Sequence, residues 1–158
     1  MRNVNPVRQS TRLWVPILMV LGLVCLRVSP ACACTVSTVG VSFGNYNPLN
    51  TAATDATGSI TISCPLEDVR VEVQMSQGSA GSFFPRQMSN GGFTLDYNLY
   101  IDANRKSIWG DGTGKTQTLS KQRINRTSVT WTVYGRIPAL QMPTDGMYSD
   151  TVSVTVWY

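Results

Sequence analysis

Apolar and polar residues alternate in short runs along most of the chain. Val39, Val41 and Phe43 share one parity within Val36–Phe43, and Ile60 and Ile62 share a face in Ser59–Cys64. Val69, Val71, Val73 and Met75 alternate with Arg70, Glu72 and Gln74, and Leu95, Tyr97, Leu99 and Ile101 with Asp96, Asn98 and Tyr100. Val129, Trp131 and Val133 are spaced by threonines; Val152, Val154, Val156 and Tyr158 are spaced by Ser153, Thr155 and Trp157. A period of two sends successive side chains to opposite faces, so each of these six segments is predicted to be a strand. Asn45–Gly58, Gln77–Gly81, Asn90-Gly91-Gly92, Gly110–Gly114 and Pro143–Gly146 supply turns between them. No segment beyond residue 33 carries a 3.6-residue apolar repeat. The pattern predicts an all-β sandwich, one strand short of the roughly seven of an immunoglobulin-type domain.

The N-terminus follows another plan. Arg2, Arg8 and Arg12 precede an apolar run, Leu13–Leu26, broken only by Pro16 and Gly22, and the small residues Ser29, Pro30, Ala31, Cys32 and Ala33 follow. A basic start, an apolar centre and an A-x-A end make a secretory signal peptide. Residues 1–33 are expected to be cleaved after Ala33, leaving 34–158 as one domain. A cut after Ala31, with Ser29 three residues back, also satisfies the rule. The run is shorter than the ~20 residues of a spanning helix, which counts against a membrane anchor.

Composition changes meaning once that segment is set apart. With 42% hydrophobic and 14% charged residues, the chain of 158 can bury a core and is not of the disordered class. The net charge of +4 would suggest nucleic acid or an anionic membrane as partner. Removing residues 1–33 takes away four arginines and no acid, which brings the 13 basic residues level with the nine acidic ones. No basic surplus is left for nucleic acid or for a membrane after cleavage. The absence of histidine excludes Ser-His-Asp, Cys-His and HExxH chemistry. Cys34 and Cys64 remain, an even pair suited to a disulfide in an oxidising compartment. Such a bridge closes a loop of about thirty residues and stabilises by about 3–4 kcal/mol. The alternative, two thiolates on a metal, lacks the usual zinc ligand set.

Candidate catalytic motifs fall short. Trp109–Thr116 (WGDGTGKT) misses the first glycine of a phosphate loop and has neither the strand before it nor the helix after it, so it reads as a surface turn. Asp111 alone does not make a calcium loop. The nine acids show no local pairing of the kind a glycosidase needs, although a pair could converge from distant strands. Ser-Lys chemistry has no support, and Asn125-Arg126-Thr127 is a formal glycosylation sequon. Phe83 and Phe84 read as core-filling residues beside a loop rather than as an exposed contact site. No catalytic residue, cofactor or metal is expected.

Longer motifs run through 34–158 in order. They include Cys34-Thr35-Val36, Gly40–Tyr46, Gly58–Cys64, Arg86-Gln87-Met88 before Gly91, and Leu95–Tyr100. Trp109–Gly114, Tyr134–Ala139 and Gly146–Asp150 continue the series. In these the chain resembles the spore coat protein U domain family, the secreted pilin-type domain of archaic, Csu-like chaperone–usher pili. The resemblance implies an immunoglobulin-like sandwich lacking its last strand. It implies a groove, between the first strand (Val36, Val39, Val41, Phe43) and the last (Val152, Val154, Val156, Tyr158), that accepts a strand from a periplasmic chaperone and then from another pilus subunit at an outer-membrane usher. It also implies export through the periplasm to a pilus, fimbria or coat at the cell surface, for adhesion or biofilm. A donor segment takes about ten residues at ~3.3 Å each. Cleavage after Ala33 leaves none before Cys34, which implies a terminal, tip subunit or a coat protein that does not polymerise. A self-contained secreted carbohydrate- or surface-binding sandwich is the competing expectation, and a secreted hydrolase with convergent carboxylates the third.

Overall fold

The computed structural model describes residues 34–65, 69–124 and 127–158. The predicted export segment 1–33, and Asn125 and Arg126 of the sequon, lie outside the described residues. The chain forms β1 (Thr35–Val39), β2 (Thr54–Ser63), β3 (Val69–Met75), β4 (Arg86–Asn90), β5 (Phe93–Tyr100), β6 (Leu119–Ile124), β7 (Ser128–Ile137) and β8 (Val154–Trp157). These make a five-stranded sheet in the order β1-β2-β7-β5-β4 and a three-stranded sheet in the order β6-β3-β8. Every named pairing is antiparallel.

The alternation sets which side chains face inward. Ile60 and Ile62 of β2, Val71 and Val73 of β3, and Leu99 of β5 are buried between the sheets with Trp109. The outward face is polar; there Asp55 of β2 accepts two hydrogen bonds from its register partner Arg136 of β7, at 2.7 and 2.8 Å. Cys34, just before β1, is bonded to Cys64, just after β2. The disulfide pins the antiparallel pair at one end and answers the choice between bridge and metal site.

The strand predictions need four corrections. β4 and β6 were not expected. The apolar signal of β4 is interrupted because Arg86, not a hydrophobe, takes a core position beside Met88, and β6 hides in the polar run Leu119-Ser120-Lys121-Gln122. β2 starts at Thr54, inside the stretch expected to be turn. The first strand stops at Val39 and the last covers only Val154–Trp157, so Val41, Phe43, Val152 and Tyr158 lie outside regular strands. The two phenylalanines divide: Phe83 is buried, and Phe84 is 52% exposed.

The early end of β1 has a steric cause. Beyond Val39 the chain crosses to the inner face, where Gly58 of β2 and Gly135 of β7 leave room for it. A Cβ on Gly58 would meet the Val39 carbonyl oxygen at 2.5 Å, and one on Gly135 would meet Val41 Cγ1 at 2.6 Å and the Phe43 ring at 2.7 Å. Val41 and Phe43 thus fill the space two missing side chains would take. Gly58→Ala is expected to cost about 1–3 kcal/mol in urea unfolding, as overpacking against backbone does. Gly40→Ala, which meets nothing within 4 Å, is the control and should stay within about 0.5 kcal/mol of wild type.

Candidate functional site

Between the segments 38–46 and 143–154 lies a groove of about 910 Å³. Its floor is apolar and comes from both sheets, with Ile60, Leu99, Leu95, Met88 and Met75. β8, at one side, has β3 as its only strand neighbour among the described residues. Its other edge is therefore free to hydrogen-bond.

The first wall is fixed by the inner-face crossing and by Tyr46. Phe43 stands edge-on to Tyr97, with ring centroids 6.1 Å apart and planes at 71°, a favoured aromatic geometry. The Tyr46 hydroxyl donates to the Pro138 carbonyl at 3.0 Å and accepts from the Gln141 N–H at 2.9 Å. Gln141 in turn bonds both backbone groups of Asp96 through its side-chain amide, at 2.8 and 2.9 Å. These contacts fasten the loop after β7 to β5.

The second wall is held by a polar network. Ser149 exchanges two backbone hydrogen bonds with Ser89 of β4. Asp150 accepts from the Tyr97 hydroxyl at 2.6 Å, from the Ser79 N–H at 2.8 Å and from its neighbour's N–H, Thr151, at 2.7 Å. Ser153 bonds Ser76 through its N–H and its carbonyl. Partial burial pushes the Asp150 carboxyl up, but the hydrogen bonds from Tyr97, Ser79 and Thr151 outweigh it and hold it below the usual carboxylate range. Burial, and then the bond to Asp150, push the Tyr97 phenol well above its ordinary value.

Behind this wall sits Arg86, fully buried at 0% exposure. It donates to the Ser76 carbonyl through Nε at 3.0 Å and Nη2 at 2.8 Å, to the Trp109 carbonyl at 2.7 Å and to Asn98 Oδ1 at 2.9 Å. Its guanidinium lies 4.9 Å from the centre of the Phe83 ring. Burial draws its pKa down, yet the group stays protonated, so carbonyl dipoles and an aromatic face replace its water. Ser76, which Arg86 holds, is the residue that fastens Ser153. The clamp thus sets the position of the C-terminal segment as it enters β8.

Of the eight side chains expected at a strand-accepting groove, Val39, Val41, Phe43, Val152 and Val154 line this one. Val36 stands beside Ile62 on β1 at 43% exposure, Val156 packs on the core from β8, and Tyr158 lies beyond β8 at 60% exposure. Tyr97, Asp150 and Arg86 lie in motifs that carry the family resemblance but were not expected as groove residues. The alternation of β5 does mark Tyr97 as inward-facing, but a buried arginine has no such signal. Trp109–Thr116 is a turn closed by its own hydrogen bonds. Trp109 is buried and donates to the Val73 carbonyl at 3.0 Å, and Thr116 and Asp111 bond within the turn.

The Spore Coat Protein U domain matches residues 21–155, and the chain belongs to that family. It is 33% identical over 131 residues to "Protein U" of Myxococcus xanthus, across 75% of this chain and 71% of that protein. Among solved structures it resembles a chain of the CsuC–CsuE chaperone–tip adhesion subunit pre-assembly complex from the archaic chaperone-usher Csu pili of Acinetobacter baumannii. That likeness has a TM-score of 0.57 at 21% identity and covers 80% of this chain but 39% of that one. It shows a shared fold. The E. coli Hda pilus minor tip subunit, HdaB, is a weaker likeness, with a TM-score of 0.38 at 16% identity over 77% of this chain and 79% of that one, too low to bear on the fold.

Two outcomes test the wall. Arg86→Lys puts a single nitrogen where Nε, Nη1 and Nη2 of a planar fork meet Ser76, Trp109 and Asn98, and is expected to lose about 2–4 kcal/mol in urea unfolding. Asp150 has a depressed pKa in the folded chain, so its contribution is present above the unfolded value near 3.9 and is lost as pH falls through the folded one. The stability gap between wild type and Asp150→Asn should therefore narrow from about pH 5 toward pH 2. A constant gap would mean that the carboxylate's charge does not matter to the network.

Proposed function

We propose that the mature chain is a structural, non-catalytic subunit of a cell-surface pilus or coat. In this reading it is exported to the periplasm, held there by a chaperone and passed through an outer-membrane usher by donor-strand complementation. The observation that carries the reading is the apolar groove beside the free edge of β8, walled by Val39–Phe43 on one side and Val152–Val154 on the other. An extended segment laid there would pair its backbone with β8 and drop alternate side chains onto the floor. Each apolar side chain so buried contributes about 1.5–3 kcal/mol, enough for a few residues to hold two subunits together. An uncovered edge over an apolar floor is also an aggregation hazard, which explains a dedicated chaperone. Family membership supports the same reading, and the Csu complex carries this fold in a chaperone-bound subunit assembly.

The place in the fibre rests on the signal cleavage. If the cut follows Ala33, nothing precedes Cys34 that could serve as a donor, and the subunit accepts a strand without giving one. On that premise we propose a terminal, tip subunit or a coat protein that does not polymerise.

Periplasmic expression with and without a chaperone of this class, followed by size-exclusion chromatography and intact mass, tests both levels. The expected result is a soluble 1:1 complex with the chaperone, only a small and aggregation-prone yield of monomer without it, and a mass that begins at Cys34. A stable monomer alone would mean a filled groove and favour the self-contained surface-binding module. A mature terminus ten or more residues upstream would remove the tip assignment and leave the groove reading intact.

A further inference from the structure

The groove's charge is one-sided. Among the described residues no lysine or arginine lines it, and the charged side chains that do are Asp145 and Asp150. Both belong to the wall after β7 and lie toward the β4–β5 hairpin: Asn90, at the end of β4, donates to the Asp145 carbonyl at 3.4 Å, and Tyr97 of β5 holds Asp150. The opposite end, around Val39 and Ile60, is uncharged. Asp150 is bonded on both oxygens, whereas the Asp145 carboxylate is exposed and has no hydrogen-bond donor among the described residues. The nearest buried cation, Arg86, spends its hydrogen bonds on Ser76, Trp109 and Asn98 and does not line the groove.

Resting on the strand-accepting reading above, we propose that the groove selects its occupant by charge. It takes an extended segment of a partner protein that alternates apolar side chains and carries a lysine or arginine at the end that meets Asp145 and Asp150. The apolar floor holds any strand of suitable alternation. The two carboxylates repel one that brings an acid to that end and attract one that brings a base, and such complementarity fixes register as well as partner. A slip by one residue turns every apolar side chain away from the floor, and a slip by two parts the ion pair.

Labelled synthetic peptides of about twelve residues test the proposal by fluorescence anisotropy on the mature chain. They share one alternating Val/Thr core and carry Lys or Glu at either terminus; a scrambled peptide without alternation is the control. For one of the two termini, the Lys peptide is expected to bind about threefold to tenfold tighter than its Glu counterpart. Asp145→Asn, at an exposed position, should shrink that ratio, Asp145→Asn with Asp150→Asn should bring it near one, and about 0.5 M salt should compress it in the wild type. Equal binding of Lys and Glu peptides at both termini, with the alternating core still preferred to the scrambled one, overturns charge selection and leaves the strand-accepting groove standing. No preference for alternation at all overturns the groove reading and this proposal with it.

Discussion

The groove depends on the chain being able to leave the edge of the five-stranded sheet after Val39 and lie against its inner face. Two glycines on that face, Gly58 and Gly135, make room for this, because a Cβ there would enter the Val39 carbonyl or the side chains of Val41 and Phe43. Had β1 continued in register along β2, Val41 and Phe43 would not form a wall, and the floor of Ile60, Leu99 and Leu95 would have no boundary on that side. Two glycines that weaken strands locally thus shape the groove on which the proposed function rests.

The opposite wall solves a different problem. A segment that leads into an edge strand has few partners and would fray without tethers. Here Ser149 is tied to β4, Asp150 to Tyr97 and Ser79, and Ser153 to Ser76. Arg86 anchors Ser76 from the core side, at the cost of burying a cation that has no carboxylate in hydrogen-bond contact among the described residues. Buried charge is tolerated because every donor used is aimed at a carbonyl or amide oxygen. The arrangement tethers one side of the groove and leaves the outer edge of β8 without a strand partner among the described residues.

The fold class was legible because five of the inward-facing runs alternate cleanly, as in Val71-Glu72-Val73 or Leu95-Asp96-Tyr97. β4 was not legible, because its inward residue is Arg86, and period-two reasoning takes arginine as solvent-facing. β6 was hidden by its polar composition. The candidate site was half legible. Val39, Val41, Phe43, Val152 and Val154 follow from the resemblance to pilin-type domains, but their irregular backbone does not, since it comes from glycines on two other strands. Asp150 and Tyr97 meet across 53 positions of sequence, a distance no local pattern can bridge.

Hydrogen–deuterium exchange of the segment 150–157, measured on the free chain and on its complex with the proposed chaperone, bears most directly on the idea that β8 offers an open edge. Alternate amides of β8 should exchange fast in the free chain, because β3 satisfies only one side of the strand, and should become protected in the complex. Equal protection in the two states would mean that the edge is already satisfied within the chain and that no strand is received there.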